Sequence, residues 1–175
     1  MENPHLTKIV HKLEHFCAYQ ERSLQEVEKK LANFQLSWEE KNEVIAHLKK
    51  YNFLNPTRYL HAFIRDKFTF RRWGKIRLKM ELRKRGYQDQ DIENGFDEIL
   101  DEHTYQEGLL TLLKIKNRSI HEQDMYLRKQ KLAKFALSRG YEMFLIWPAI
   151  ASLNLGNFEE GDMADFEPNF EPEFD

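Results

Sequence analysis

Two stretches of this chain hold residue types at spacings that could do chemistry. Arg71 to Tyr87 reads RRWGKIRLKMELRKRGY and carries eight cations, Arg71, Arg72, Lys75, Arg77, Lys79, Arg83, Lys84 and Arg85, against one acid, Glu81. At helical spacing Arg71, Lys75, Lys79 and Arg83 are each four apart, so they stack along one face. Such a basic rail predicts electrostatic contact with phosphates or an acidic protein surface. The second stretch, His11-Lys12-Leu13-Glu14-His15, spells H-x-x-E-H. In zinc peptidases of that order two histidines one turn apart hold the metal and the glutamate activates water. That chemistry also needs a further protein ligand and a cleft, and here the motif lies in the first helix near the chain's start. It is therefore read as a polar helix face beside Leu13 and Phe16, and no metal or cofactor is expected.

The basic pattern recurs. Arg128, Lys129, Lys131, Lys134 and Arg139 follow one another with no acid between the first and the last. A helix-turn-helix reader needs base-reading polar residues at the start of its recognition helix. Here cations run the length of the segment, which suits phosphate or acidic-protein contact without sequence readout. Trp73 could stack on a base, but its place before Gly74 suits packing between two helices, and packing is expected. There is no phosphate-cradling glycine loop, nucleophile elbow or acid–base pair, so the reading is of a binding protein and not an enzyme.

The elements that must position these residues all read as helices. Ser23-Leu24-Gln25-Glu26 and Ser37-Trp38-Glu39-Glu40 are capping boxes, each followed by an apolar face. Asn55-Pro56 supplies an N-cap and a proline at the first helical position. In the rail itself Ile76, Leu78, Met80 and Leu82 offer a face to bury, and Gly86 stands where a helix stops in the left-handed conformation. Asp89 caps a helix carrying Ile92, Phe96, Ile99 and Leu100. Further helices are expected over 104–116, 124–139 and 142–153, the last kinked or split at Pro148. No alternating run argues for a strand.

An internal repeat organises these helices. A shift of 54 residues lays Lys75, Leu78, Arg85, Gly86 and Tyr87 on Lys129, Leu132, Arg139, Gly140 and Tyr141. A shift of 51 lays Leu82 on Leu31, although Gln35 replaces the glycine there. The expected architecture is all-α, with three tandem three-helix units at 1–54, 55–102 and 103–156. Such repeats share burial with their neighbours and form an elongated, curved molecule. Tyr87 and Tyr141, each after a terminating glycine, are expected packing anchors.

Charge is split along the chain. Residues 157–175 hold eight of the 29 acids and none of the 27 Lys and Arg, so the preceding chain carries a net charge of +6. The tail repeats Phe-Glu-Pro and has too little apolar surface to fold alone, so disorder is expected there. A docking peptide, a mimic of DNA covering the chain's own basic rails and a solubilising extension remain three readings of it. No run approaches the ~18 apolar residues of a membrane span, and the first residues lack a signal-peptide stretch. A lone cysteine, Cys17, excludes an intrachain disulfide and fits a reducing, cytoplasmic setting.

Three segments together resemble the RecX family of regulators of the RecA recombinase. Asn52-Phe53-Leu54-Asn55-Pro56-Thr57-Arg58-Tyr59 resembles its Gly-x-Leu-Asp-Asp-x-Arg-Phe stretch. Trp73 through Gly86 resembles its Gly-x-x-x-Ile/Leu…Leu-x-x-x-Gly helix. Lys131-Leu132-Ala133-Lys134-Phe135-Ala136-Leu137-Ser138-Arg139-Gly140-Tyr141 resembles its Lys-Leu-x-x-Phe-Leu-x-x-Arg-Gly-Phe helix. The match covers roughly residues 17 to 153. Pro56 replaces an aspartate of the pattern, and the acidic tail lies outside it. The resemblance implies a cytoplasmic monomer that lies in the groove of the RecA–DNA filament. It implies restraint of filament growth, ATP hydrolysis, strand exchange and coprotease activity, with weak, salt-dependent binding of single- and double-stranded DNA. The cations of both basic segments are the expected contact residues, and the alternative is a stand-alone nucleic-acid-binding module.

Overall fold

The computed structural model describes residues 4–156 and Phe166. Among the described residues all regular structure is helical: α1 Pro4–Tyr19, α2 Leu24–Leu31, α3 Trp38–Lys50, α4 Pro56–Arg71, α5 Lys75–Lys84, α6 Asp89–Ile99, α7 Glu102–Ser119, α8 Met125–Ser138 and α9 Met143–Ala151. Two compact units result, Met1–Phe63 and Ile64–Asp175, divided inside α4.

In the first unit α1 buries Leu6, Ile9, Val10, Leu13 and Cys17, a stripe at helical spacing. Val27 and Leu31 of α2, Val44 and Leu48 of α3, and Leu54 close the core around that stripe. Both capping boxes form. Ser23 Oγ accepts from the Glu26 amide while the Glu26 carboxylate accepts from the Ser23 amide, and Ser37 and Glu40 do the same. Asn55 Oδ1 accepts from the Arg58 amide at 3.0 Å, which caps α4 as the Asn-Pro pair implies. Burial pushes the Cys17 thiol up to about 11, so it packs as a small apolar group.

The second unit is organised by a backbone junction. The first amides of α5 need acceptors. Gly74 and Ile76 donate to the Arg139 and Gly140 carbonyls at the end of α8, at 2.7 and 3.0 Å. The Lys75 amide donates to the Tyr105 hydroxyl of α7 at 2.8 Å, and that hydroxyl donates to Glu142 at 2.6 Å. Such close approach requires glycine on both sides. A Cβ on Gly74 would lie 2.3 Å from the Gly140 oxygen, and one on Gly140 would lie 2.5 Å from the Arg77 backbone nitrogen. Gly140 also adopts φ 86°, and Gly86 ends α5 at φ 87°. Beneath the junction Tyr141 stacks on Tyr105 at 5.2 Å, and burial raises both hydroxyl pKa values. Tyr141 is thus a core anchor, while Tyr87 is half-buried.

Four local expectations need correcting. Arg71 does not share a helix with Lys75: Arg72 turns to φ 55° and Gly74 opens α5 afresh, so only Lys75, Lys79 and Arg83 stack. Ile76 is 44% exposed, and Leu78 and Leu82 carry the burial of α5 together with Arg77. Asp89 does not cap α6; Gln88 is the N-cap, and the Asp89 carboxylate turns to Arg83 instead. Helix α9 runs through Pro148 without splitting, so of the two outcomes expected there the split does not occur. The expected disorder of the tail concerns residues 157–175, which apart from Phe166 lie outside the described residues.

Candidate functional site

Residues of the two basic segments converge on the second unit, but they do very different work there. Arg77 is 8% exposed and lays its guanidinium 4.3 Å from the Trp73 ring centroid. Lys67 approaches the same ring at 5.5 Å, so Trp73 is a packing residue in contact with two cations. Lys75 is half-buried, with its ammonium near the Phe96 and Tyr105 rings. Lys129 is 4% exposed. Arg128 donates to the side chain and carbonyl of Asn117 and to the Glu122 carbonyl, satisfying acceptors at the end of α7. Arg139 lies 5.2 Å from the Phe135 ring and reaches the Arg71 carbonyl. These residues build the fold.

On α5 the remaining cations face acids. Arg83 is held bidentately by Asp89, both contacts at 2.6 Å. Lys79 lies 2.5 Å from Glu93 and 3.6 Å from Asp89. The hydrogen bond from Arg83 holds Asp89 below the usual carboxylate range, and the hydrogen bond to Glu93 raises Lys79. Lys84 and Arg85 both reach Glu81 at 2.8 Å. Burial alone would raise the Glu81 pKa, but hydrogen bonds from Lys84 and Arg85 outweigh it and the net shift is downward. Arg83 and Lys84 stay exposed beyond these pairs, and so does Arg71 at the end of α4.

On α8 an exposed groove opens toward α7. It has a volume of about 490 Å³ and is lined by Lys116, Ile120, His121, Lys131, Lys134 and Phe135, with Ser119 and Ser138 beside them. Its floor is apolar, and its rim is cationic. Lys116 stands 4.9 Å from the Phe135 ring. Lys131 contacts Glu122 at 2.9 Å, and Lys134 is exposed without an ion pair among the described residues. The arrangement suits a planar or apolar group flanked by negative charge. Sequence reading located Lys131 and Lys134 but missed Lys116, His121 and the ring of Phe135. The signal was present: Lys116 and Arg118 stand in the last turn of α7, just before the second basic segment.

The H-x-x-E-H motif is put to structural use. Both Glu14 oxygens are taken, by His11 Nδ1 and by His47 Nε2 of α3, each at 2.8 Å. The His47 hydrogen bond leads in holding the Glu14 carboxyl below its ordinary range. Among the described residues no group of three or more His, Cys, Asp or Glu could hold a metal ion, and no helix is long and apolar enough to cross a membrane.

Comparison with known proteins places this arrangement. Residues 57–94, from α4 into α6, match the family model described as RecX, second three-helix domain. The chain is thus similar to RecX proteins in sequence and in fold. It is 29% identical over 122 residues to the regulatory protein RecX of Clostridium acetobutylicum, covering 68% of this chain and 54% of the relative. It is 28% identical over 142 residues to that of Neisseria meningitidis, covering 81% and 88%. The chain spans about half the length of the clostridial relatives it matches. The crystal structure of RecX from Lactobacillus salivarius shares the fold at TM-score 0.74 and 24% identity, covering 86% of this chain and 97% of that one.

Proposed function

We propose that this chain modulates the RecA recombinase, binding as a monomer in the groove of the RecA–DNA filament. It restrains filament growth, ATP hydrolysis, strand exchange and coprotease activity, in the cytoplasm and with no covalent chemistry of its own. Similarity to regulatory RecX proteins supports the partner. The observation that carries the reading is the junction of Gly74 with Gly140, which fixes two cation-bearing helices in one unit. Rigidly linked weak contacts bind with avidity that separate contacts lack. Arg83, Lys84, Lys131 and Lys134 are the exposed cations of α5 and α8, through which an acidic groove would be met. The three-unit organisation expected from the repeat would let neighbouring recombinase subunits be bridged.

The test is single-stranded-DNA-stimulated ATP hydrolysis by the cognate recombinase, titrated with this protein. Inhibition well below stoichiometric ratios is expected. It should weaken when Arg83, Lys84, Lys131 and Lys134 are changed to Glu. A second reading, a stand-alone nucleic-acid binder, is favoured by the Lys116–Phe135–Lys134 groove, where a base could stack between phosphate contacts. No inhibition, together with tight DNA binding whose affinity falls steeply with salt, would establish that reading over the first.

A further inference from the structure

The acidic extension makes one described contact with the folded chain. Phe166 is 8% exposed, and its ring meets Trp147 of α9 edge-on, with centroids 5.4 Å apart and planes at 87°. That is a favoured aromatic geometry, and such pairs add about 0.5–1.5 kcal/mol to simple area burial. Trp147 itself is 2% exposed and belongs to the core that α9 shares with α7 and α8. A phenylalanine ten residues beyond Gly156 thus finishes a core surface of the second unit.

Around Phe166 the sequence is strongly anionic. Residues 157–175 carry eight carboxylates and no Lys or Arg, and Glu167, Glu171, Glu173 and Asp175 follow the anchoring ring. The same unit carries the cationic groove of Lys116, Lys131 and Lys134. Helices α8 and α9 pack directly on each other. A ring docked on α9 tethers the tail carboxylates to the unit that carries these cations, and a short tether gives an effective concentration on the order of millimolar.

We propose that the C-terminal tail is an internal ligand: Phe166 docks on Trp147, and the tail carboxylates compete with external polyanions for the cations of the α7–α8 groove. This extends the function proposed above, and its competition half rests on that reading of the cations. Affinity for a nucleic acid or acidic protein is then set by two things, the docking of one aromatic ring and the charge it delivers. The Phe-Glu-Pro repeat adds a consequence. Phe170 and Phe174 follow Phe166 at four-residue intervals, so the tail holds further rings of the same kind for the same surface.

Two full-length variants separate anchor from charge. Phe166→Ala keeps every carboxylate and removes the ring. Glu167→Gln with Glu171→Gln and Glu173→Gln keeps the ring and removes charge. Binding of a labelled oligothymidylate at low salt is measured by anisotropy, and the Trp147 indole is followed by NMR. Both variants are expected to bind the oligonucleotide more tightly, by roughly threefold to tenfold, with the gap closing as salt screens the competition. The Trp147 indole signal should move in Phe166→Ala and stay in place in the Gln variant. An unmoved signal in Phe166→Ala would overturn the anchor. Equal affinities among the three proteins, all of them binding, would overturn the competition. If none binds, the cation reading itself fails and the competition falls with it, while the indole signal still decides the docking.

Discussion

Helices α5 and α8 are two copies of one sequence pattern with opposite electrostatic fates. Both are cationic, both pack leucine at the repeat position, and both end in Arg-Gly-Tyr with the glycine in the left-handed region. The neighbours differ. α5 lies against α6, whose Asp89 and Glu93 take up Arg83 and Lys79, while its own Glu81 takes up Lys84 and Arg85. α8 lies against α7, which offers Lys116 and a groove, and Glu122 answers Lys131 there. A run of lysine and arginine in a sequence therefore reports potential charge. The available charge is set by the acids and cations that the next helix brings alongside.

The glycine turns give the sharpest division between the copies. Gly140→Ala should destabilise the second unit by about 3 kcal/mol, because left-handed backbone strain adds to a clash with the Arg77 backbone that neither chain segment can escape. Gly86→Ala, at an exposed position with the same φ, should cost about 1 kcal/mol. Urea unfolding followed by circular dichroism measures both. Equal losses would show that the junction between Gly74 and Gly140 contributes nothing specific.

Charge reversal comes next. Lys116→Glu with Lys134→Glu should weaken binding of a single-stranded oligonucleotide by roughly tenfold or more, by removing phosphate contacts and adding repulsion. Lys79→Glu should change binding less, since that ammonium is already shared by Glu93 and Asp89. The reverse ordering would make α5 the working surface. Freeing the α5 cations sharpens the point in the other direction. Asp89→Asn with Glu93→Gln should raise affinity by roughly threefold at low salt. No rise would mean that the α5 face does not meet the polyanion at all.

The smallest effect is one of pH. Hydrogen bonds from Arg83 and Lys131 hold Asp89 and Glu122 below their ordinary pKa values of 3.8 and 4.5. What those pairs contribute is fully present above the ordinary values and is lost only as pH falls through the lowered ones. Between pH 8 and 5 they should therefore leave polyanion affinity unchanged. As pH falls through the lowered values, below 3.8 for Asp89 and below 4.5 for Glu122, they should release cations on both helices and strengthen binding. Affinity measured in a constant-ionic-strength pH series checks this, and a rise already at pH 6 would show that these two pairs do not set the pH dependence.

Much of the fold was legible because its signals are local. Ser23 and Glu26, Ser37 and Glu40, and Asn55 announce helix starts through hydrogen bonds three residues long. Gly86 and Gly140 announce helix ends through a backbone conformation other residues avoid. The misreadings arose where a partner or a chain break outside the helical pattern decided. Asp89 left its expected capping role because Arg83 offered a bidentate partner. Arg71 left the rail because Arg72 and Gly74 break the helix between them.

By itself the sequence determined which segments become helices, where they stop, and that a basic chain carries an acidic extension. Periodicity, caps and net charge are properties of neighbouring residues and survive without any tertiary contact. Tertiary structure alone decided which cations are structural, which are paired and which stay exposed. It also brought Lys116 beside Phe135 and seated Phe166 on Trp147. Charge and aromatic contacts act over a few ångströms, and those distances are fixed by packing between helices far apart in the chain.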